Sequence, residues 1–432
     1  MPAILASAVP HGIIRAPMRP SPYLSLLRRN PAFARLYGAQ LTSFAGDWFA
    51  TVALLGLALE LTGSSAVASL VLVLQTGGFA AASPVAGMLA DRLDRRRLMI
   101  GADLARIPVA LAFLLARDPE TLWIAFAAVL LLAIGAAVFE PTSSASLPNL
   151  VSREDLPVAN VLIGSAWGTM LAVGAALGGV VAATLGRDAA FIVNALSFAV
   201  SAWLILGIRL PLQEARDPAA RIGGGVRGGL AAAIGFARTS RMLGAFVLSK
   251  TSFGVGTGVV ALLALFGAEV FGAGDAGIGI LFAARGLGAL VGPFVARSVM
   301  GTDDAGLIRG IAVSFVAAAG CYALFPLAPQ LWIAAIFVFG AHCGGGAQWA
   351  LSTLGIQRST PDAIRGRVFS LDYGLVTLTI AVSTLLAGLL ADLVPARLAV
   401  WTMAGLIFAA GSAWIAFAWP VLARGRATLE DR

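Results

Sequence analysis

Stretches of about 20 residues that carry almost no charge recur along this chain, and a helix of that length is what crosses a hydrocarbon core. They fall near residues 33–60, 66–89, 97–116, 121–146, 156–185, 189–209, 242–267, 276–298, 306–325, 331–354, 367–393 and 398–419, here numbered spans 1 to 12. In lipid every backbone polar group must find its partner inside the segment, so runs of this kind are helices and not loose strands. Composition agrees: of 432 residues 59% are hydrophobic and 12% charged, with mean hydropathy +0.89, outside the range of soluble globular chains. The expected fold class is an all-α membrane protein with twelve transmembrane helices.

The longest internal hydrophilic stretch divides these spans six and six. Residues 210–241 hold Gly223, Gly224 and Gly225 and a short amphipathic segment from Val226 to Arg238, and read as a cytoplasmic linker. The expected domains are thus a disordered cytoplasmic tail over 1–30, a first six-helix bundle over 31–209, the linker, a second bundle over 242–420, and a tail over 421–432. The first tail contains Pro2, Pro10, Pro17, Pro20 and Pro22 and no apolar core of signal-peptide length. The halves resemble each other: residues 178–185 align with residues 387–394, both in the fifth span of their half. Helix-start signals precede each, Ser152 with Asp155 and Ser359 with Asp362. A duplicated six-plus-six chain fits a central site between halves.

The net charge of +8 could indicate nucleic acid, but the arginines lie in short loops, which is a topological signal. Arg28, Arg29, Arg35, Arg92 to Arg97, Arg153, Arg209 to Arg241, Arg297, Arg309, Arg358, Arg365, Arg367, Arg424 and Arg426 fall on one set of loops. The other set has only Arg117, Arg187 and Arg397, so both termini and the linker are expected in the cytoplasm. Lys250 is the single lysine among thirty basic residues and reads as a matter of genome composition. Cys321 and Cys343 lie in apolar runs without metal-ligand spacing, so no metal and no cofactor is expected.

The most specific motif is the turn between spans 2 and 3, where Gly87, Asp91, Arg92, Arg95 and Arg96 stand in order and Asp94 replaces a second glycine. It resembles the loop between helices 2 and 3 of the major facilitator superfamily. Gly174-Ala175-Ala176-Leu177-Gly178-Gly179 is similar to that superfamily's antiporter motif, with Ala175 in place of proline. Phe139-Glu140-Pro141, Asn194-Ala195-Leu196-Ser197-Phe198, and Arg365-Gly366-Arg367-Val368 after Pro361-Asp362 are similar to the bacterial branch containing the enterobactin exporter and related secretion and drug-efflux proteins. The arginine expected in span 4 of many proton-coupled members is missing. In the second-half counterpart of the opening loop Gly292 and Arg297 remain, with Ala296 where an acid would stand. The resemblance implies two pseudo-symmetric six-helix bundles, alternating access and a multi-pass protein of the bacterial inner membrane, working as a monomer.

Site residues follow from both readings. The resemblance places Asp91 beside the start of span 11, where a helix N-terminus favours a carboxylate by roughly 0.3 to 1 kcal/mol. Gly87, Asp91, Arg92, Arg95 and Arg96, with Asp103 and Arg106 one turn apart on span 3, are expected to form a gate network on the cytoplasmic side. An ionisable group at bilayer depth costs about 2.5 to 3.5 kcal/mol, so Asp47 and Glu140 should face a wet cavity or find partners. Arg285 should pair with one of them or bind an anionic substrate group. His342 is a candidate proton shuttle or a packing residue, and Asp372 joins the gate network or lines the inner vestibule. Phe44, Trp48, Trp167, Phe253 and Trp349 form an apolar pocket or pack against lipid. Gly344-Gly345-Gly346 lacks a following Walker lysine, so pumping must draw on an ion gradient.

These features predict a secondary, proton-coupled exporter of small amphipathic molecules of drug or siderophore class, with lipid and substrate as its partners and no nucleic acid. An importer or lipid flippase of the same fold is the alternative. An intramembrane enzyme needs clustered ligands or nucleophiles, and the only histidines are His11 and His342.

Overall fold

The computed structural model describes residues 22–213, 226–299, 303–360 and 362–430. Its helices are α1 (Pro22–Arg29), α2 (Pro31–Thr62), α3 (Ser65–Arg92), α4 (Arg95–Leu111), α5 (Leu122–Leu150), α6 (Leu156–Leu185), α7 (Arg187–Leu206), α8 (Val226–Thr239), α9 (Arg241–Gly254), α10 (Val259–Leu265), α11 (Gly274–Val299), α12 (Asp304–Leu324), α13 (Leu331–Ser359), α14 (Asp362–Leu393) and α15 (Ala396–Glu430). Among the described residues twelve segments are long and apolar enough to cross a membrane, α9 and α10 together making the seventh.

Local sequence sets where these helices begin. Asn30 caps α2 by accepting from the Phe33 amide at 3.0 Å, with Pro31 at the first helical position, where its missing N–H costs nothing. Gly63 ends α2 at φ 63°, a left-handed conformation that glycine adopts without a Cβ clash. Asp94, the residue standing where the family pattern has glycine, is the N-cap of α4 and accepts from the Arg97 amide at 2.8 Å. Pro22–Arg29, expected as part of a tail, is helical. Leu26 is fully buried in the apolar cluster that holds Phe33 and Leu150, and Arg29 pairs with Asp155.

Helix packing repeats with a shift of six spans. In the first half α2 packs on α6 and α7, α3 on α5, and α4 on α5 and α7; in the second, α9 packs on α14 and α15, α11 on α13, and α12 on α13 and α15. The halves meet along two seams, α6 with α11 and α3 with α14, and the same shift exchanges one seam for the other. This is the pseudo-symmetric pair of bundles that the repeated hydropathy implies.

The seventh span is broken. Residues between Gly254 and Val259 form turns, and Ser383 of α14 stitches the gap, its Oγ accepting from the Gly258 amide at 2.9 Å and donating to the Val255 carbonyl at 2.6 Å. A broken helix at membrane depth survives where its freed backbone groups are re-bonded and it lines a cavity. Thr257, inside the break, does line one.

Two polar clasps join the halves at the end of the bundle opposite the arginine-rich loops. Arg187, at the start of α7, reaches Asp275 of α11 at 2.8 Å and Glu60 of α2 at 2.6 Å. Gly56 makes room for this clasp, because a Cβ there would lie 1.7 Å from an Asp275 carboxylate oxygen. Asp392, at the end of α14, accepts from the Ser64 hydroxyl at 2.5 Å and from the Ser65 and Ala66 amides at 2.7 and 3.2 Å. A carboxylate there meets orphan amides and the positive end of the α3 dipole together.

Candidate functional site

A cavity of about 340 Å³ lies between the halves, walled by α2, α3, α4, α5, α6 and α7 on one side and by the α9–α10 break, α11 and α14 on the other. Its charged lining residues are Asp47, Arg106, Glu140 and Arg285, and its polar ones include Gln75 and Thr384.

Asp47 is held by Arg106 through two contacts, at 2.8 and 3.1 Å. The Arg106 guanidinium also donates to the Ser43 hydroxyl at 3.0 Å, lies 3.5 Å from Asp103, and covers the Phe198 ring at 3.9 Å. Both Asp47 contacts come from Nη2 and the Ser43 contact from Nη1, so the spread donors of one guanidinium serve two partners at once, which suits arginine to this place better than lysine. Arg106 therefore lines the cavity, with Asp103 buried behind it. Their one-turn spacing is visible in sequence; the inward direction of that face is a property of how α4 packs on α7. The Asn194–Phe198 motif supplies the Phe198 surface under Arg106 and the cavity-lining Asn194.

Glu140 lines the same cavity and makes no hydrogen bond or ion pair with the described residues. Of the two expectations for Arg285, pairing with Asp47 or Glu140 is not met: Arg106 occupies Asp47, and no bond joins Arg285 to Glu140. Among the described residues Arg285 has no acidic partner, and its Nε is buried without an acceptor. Its guanidinium carbon sits 5.7 Å from the Trp167 ring, 5.7 Å from Phe282 and 5.9 Å from Trp48. At that outer limit of the cation–π range each ring offers about 0.5 kcal/mol, roughly 1.5 for three. A cation at bilayer depth costs about 2.5 to 3.5 kcal/mol, and each orphaned donor adds about 1 to 3. The rings shelter the guanidinium without satisfying it.

Asp372 neither joins the gate network nor lines the cavity. It is fully buried against Lys250 of α9, oxygen to nitrogen 2.5 Å, with the ammonium 4.9 Å from the Trp349 ring and 5.2 Å from Tyr373. Lys250 is the residue that sequence reasoning passed over. Its signal was its position inside an apolar run, where an unpaired ammonium is untenable. His342 is buried and shares a 2.8 Å hydrogen bond with the Tyr322 hydroxyl, away from the cavity lining. Of the aromatics, Phe44, Trp48 and Trp167 line the cavity, Phe253 packs on Phe315, and Trp349 stands over Lys250.

The turn between spans 2 and 3 works partly as a brace. Arg95 donates to the carbonyls of Ala145 at 2.6 Å and Leu212 at 3.1 Å, and Arg96 to that of Leu210 at 2.9 Å, so they tie α4 to α5 and to the segment that follows α7 in the same half. The side chains of Asp91, Arg92, Arg365 and Arg367 lie outside the described residues, as do the surroundings of Gly87. The antiporter-like glycines divide their work. A Cβ on Gly174 would sit 3.1 Å from the Trp48 Cβ, and one on Gly178 2.7 Å from the Phe49 Cα, so these two let α6 lie against α2. Gly179 faces the other half, where a Cβ would be 2.9 Å from the Gly279 Cα of α11. Among the described residues no group of three or more His, Cys, Asp or Glu side chains is arranged to hold a metal.

Comparison with known proteins gives this geometry a family. Residues 22–428 match the family model described as "Transmembrane secretion effector". The chain is 28% identical over 365 residues to a Bacillus subtilis protein named "Putative bacilysin exporter BacE", covering 81% of this chain and 86% of that one. It is 30% identical over 126 residues to "Macrolide efflux protein A" of Streptococcus pyogenes, 29% of this chain and 31% of the relative. The fold matches a POT family transporter crystallised with 5-aminolevulinic acid, at TM-score 0.73 and 12% identity over 91% of this chain and 97% of that one. It also matches a bacterial homologue of the lysosomal transporter Spinster, at TM-score 0.66 and 16% identity over 96% and 99%. A twelve-span, two-bundle chain with a charged cavity between its halves, matched over nearly its whole length by one family, belongs to the transmembrane secretion effectors of the major facilitator superfamily.

Proposed function

We propose that this transporter is a proton-coupled exporter of small amphipathic molecules in the bacterial inner membrane. The observation that carries the reading is the shared cavity, which brings acids of one half and a cation of the other to a common space while the halves are clasped at one end. The arginine-rich loops favour a cytoplasmic position for that set and for both termini, so the clasped end faces outward and cargo loads from the cytoplasm. Alternating access then consists of releasing the Arg187–Asp275 and Asp392 clasps while a contact forms at the opposite end, with Asp91 against the start of α14 as its expected element. Glu140, free of a fixed partner, and Asp47, which exchanges Arg106 for a proton, are the proposed coupling groups. The printed names of the relatives, an exporter and an efflux protein, support the outward direction.

The test is extrusion of a lipophilic dye by everted vesicles energised with a proton gradient. Accumulation that collapses with a protonophore and in Asp47→Asn supports the reading. Accumulation indifferent to the gradient, or dye movement only into intact cells, refutes it in favour of a facilitator or an importer.

A further inference from the structure

Three cations lie deep in the spans among the described residues, and they are treated differently. Arg106 is neutralised by Asp47 at 2.8 Å and Lys250 by Asp372 at 2.5 Å, whereas Arg285 has no acid within reach. A guanidinium in low dielectric is stable only with its charge balanced and its donors met, and around Arg285 three rings stand at 5.7 to 5.9 Å while no hydrogen bond or ion pair joins it to a described residue. The surroundings span both halves: Trp48 and Trp167 come from α2 and α6, Phe282 and Arg285 from α11. Trp48 also contacts Phe282 directly, centroids 5.9 Å apart, and Trp167 at 6.2 Å.

We propose that the transported molecule carries a carboxylate that seats on Arg285, with the flat apolar part of the molecule against Trp48 and Trp167, the two of the three rings that line the cavity. The proposal deepens the exporter reading and rests on it for the direction of transport. The forked donor edge of arginine pairs with a carboxylate at two oxygens, and the flanking rings give an aromatic or branched apolar body a surface of its own. A monoanion fits better than a phosphate dianion, because Asp47 and Glu140 line the same 340 Å³ space and oppose a second negative charge. Because Trp48 and Trp167 come from one half and the guanidinium from the other, an occupant here contacts both bundles at once, so its presence bears on their relative motion.

The experiment uses the full chain in lipid nanodiscs and three matched probes: 2-naphthoate, N-acetyltryptophan and N-benzoylphenylalanine, each against its own primary amide, which keeps shape and removes charge. Binding is read by calorimetry. In at least one pair the acid is expected to bind tenfold or more tighter than the amide. Arg285→Gln should reduce that preference below threefold with little change for the amide, and Arg285→Lys should keep part of it. Failure of all three acids to outbind their amides, or a preference that survives in R285Q, overturns the proposal. A monodisperse, cooperatively melting R285Q sample excludes misfolding, and if R285Q does not fold, the acid preference in R285K against wild type decides. Dye extrusion by the same proteins in everted vesicles separates the two ideas. Extrusion intact without acid preference sinks the carboxylate site alone, and acid preference without gradient-driven extrusion sinks the exporter reading alone.

Discussion

Among the described residues two acid–base pairs lie deep in the spans, one in each half, and their surroundings differ. Lys250 and Asp372 join α9 to α14 with both side chains at 0% exposure, sealed under aromatic rings. Asp47 and Arg106 join α2 to α4 at the cavity wall, where Asp47 is 27% exposed. A sealed pair cannot exchange its partner for a proton or a ligand without first opening the fold. A pair at a wet wall can. The difference teaches that burial of a charge in a membrane helix marks a structural demand, while access to the cavity marks the groups proposed to take part in transport.

The largest effect is expected from breaking the sealed pair. Asp372→Ala strands the Lys250 ammonium and should cost about 3 to 5 kcal/mol, whereas a joint Asp372→Leu and Lys250→Met replacement should restore stability to within about 1 kcal/mol. Thermal melts in nanodiscs measure both, and a D372A protein that melts with D47A would erase the distinction drawn between the pairs. Next comes Asp47→Asn, which leaves Arg106 facing a wet cavity. It should fold with a loss of about 1 to 3 kcal/mol and lower proton-driven dye extrusion at least tenfold.

Smaller effects test the clasped end. Asp392→Asn keeps the hydrogen-bonding shape at the α3 N-terminus but removes its charge, worth about 0.3 to 1 kcal/mol, a shift of about two- to fivefold in the balance between closed and open. Labelling of a cysteine placed at the cavity residue Thr384 by an impermeant maleimide, from the outer face of cells, should rise by that factor in a background lacking Cys321 and Cys343. Unchanged labelling would show that this clasp does not set which side is open. The smallest effect is expected for Glu60→Gln. Glu60 is 67% exposed, and such an ion pair contributes about 0 to 1 kcal/mol, so labelling at Thr384 should move less than twofold.

Acid-to-helix-end attraction between spans 2 and 11 was legible as a principle and seen at an unexpected place. The motif residues direct attention to Asp91, at the end of α3 nearest the arginine-rich loops. The contact the described residues make is Asp392 on the start of α3, at the opposite end of the same antiparallel pair. Asp392 lies in the repeated segment, residues 387–394, whose counterpart in the first half has Ala183 at that position. The alignment showed the repeat without showing what the acid does, since its partner amides lie more than 300 positions earlier in the chain.

Sequence by itself determined the twelve helices, the six-plus-six division and the uneven arginine distribution, because a bilayer demands long apolar runs and sorts basic residues between its two faces. Those are one-dimensional requirements, written where they act. Only the tertiary structure decided that Arg106 takes Asp47, that Lys250 and Asp372 close on each other, and that Arg285 is left among rings. Each of those outcomes depends on which face of one helix meets which face of another, and hydropathy in a span apolar on nearly every side does not mark its faces.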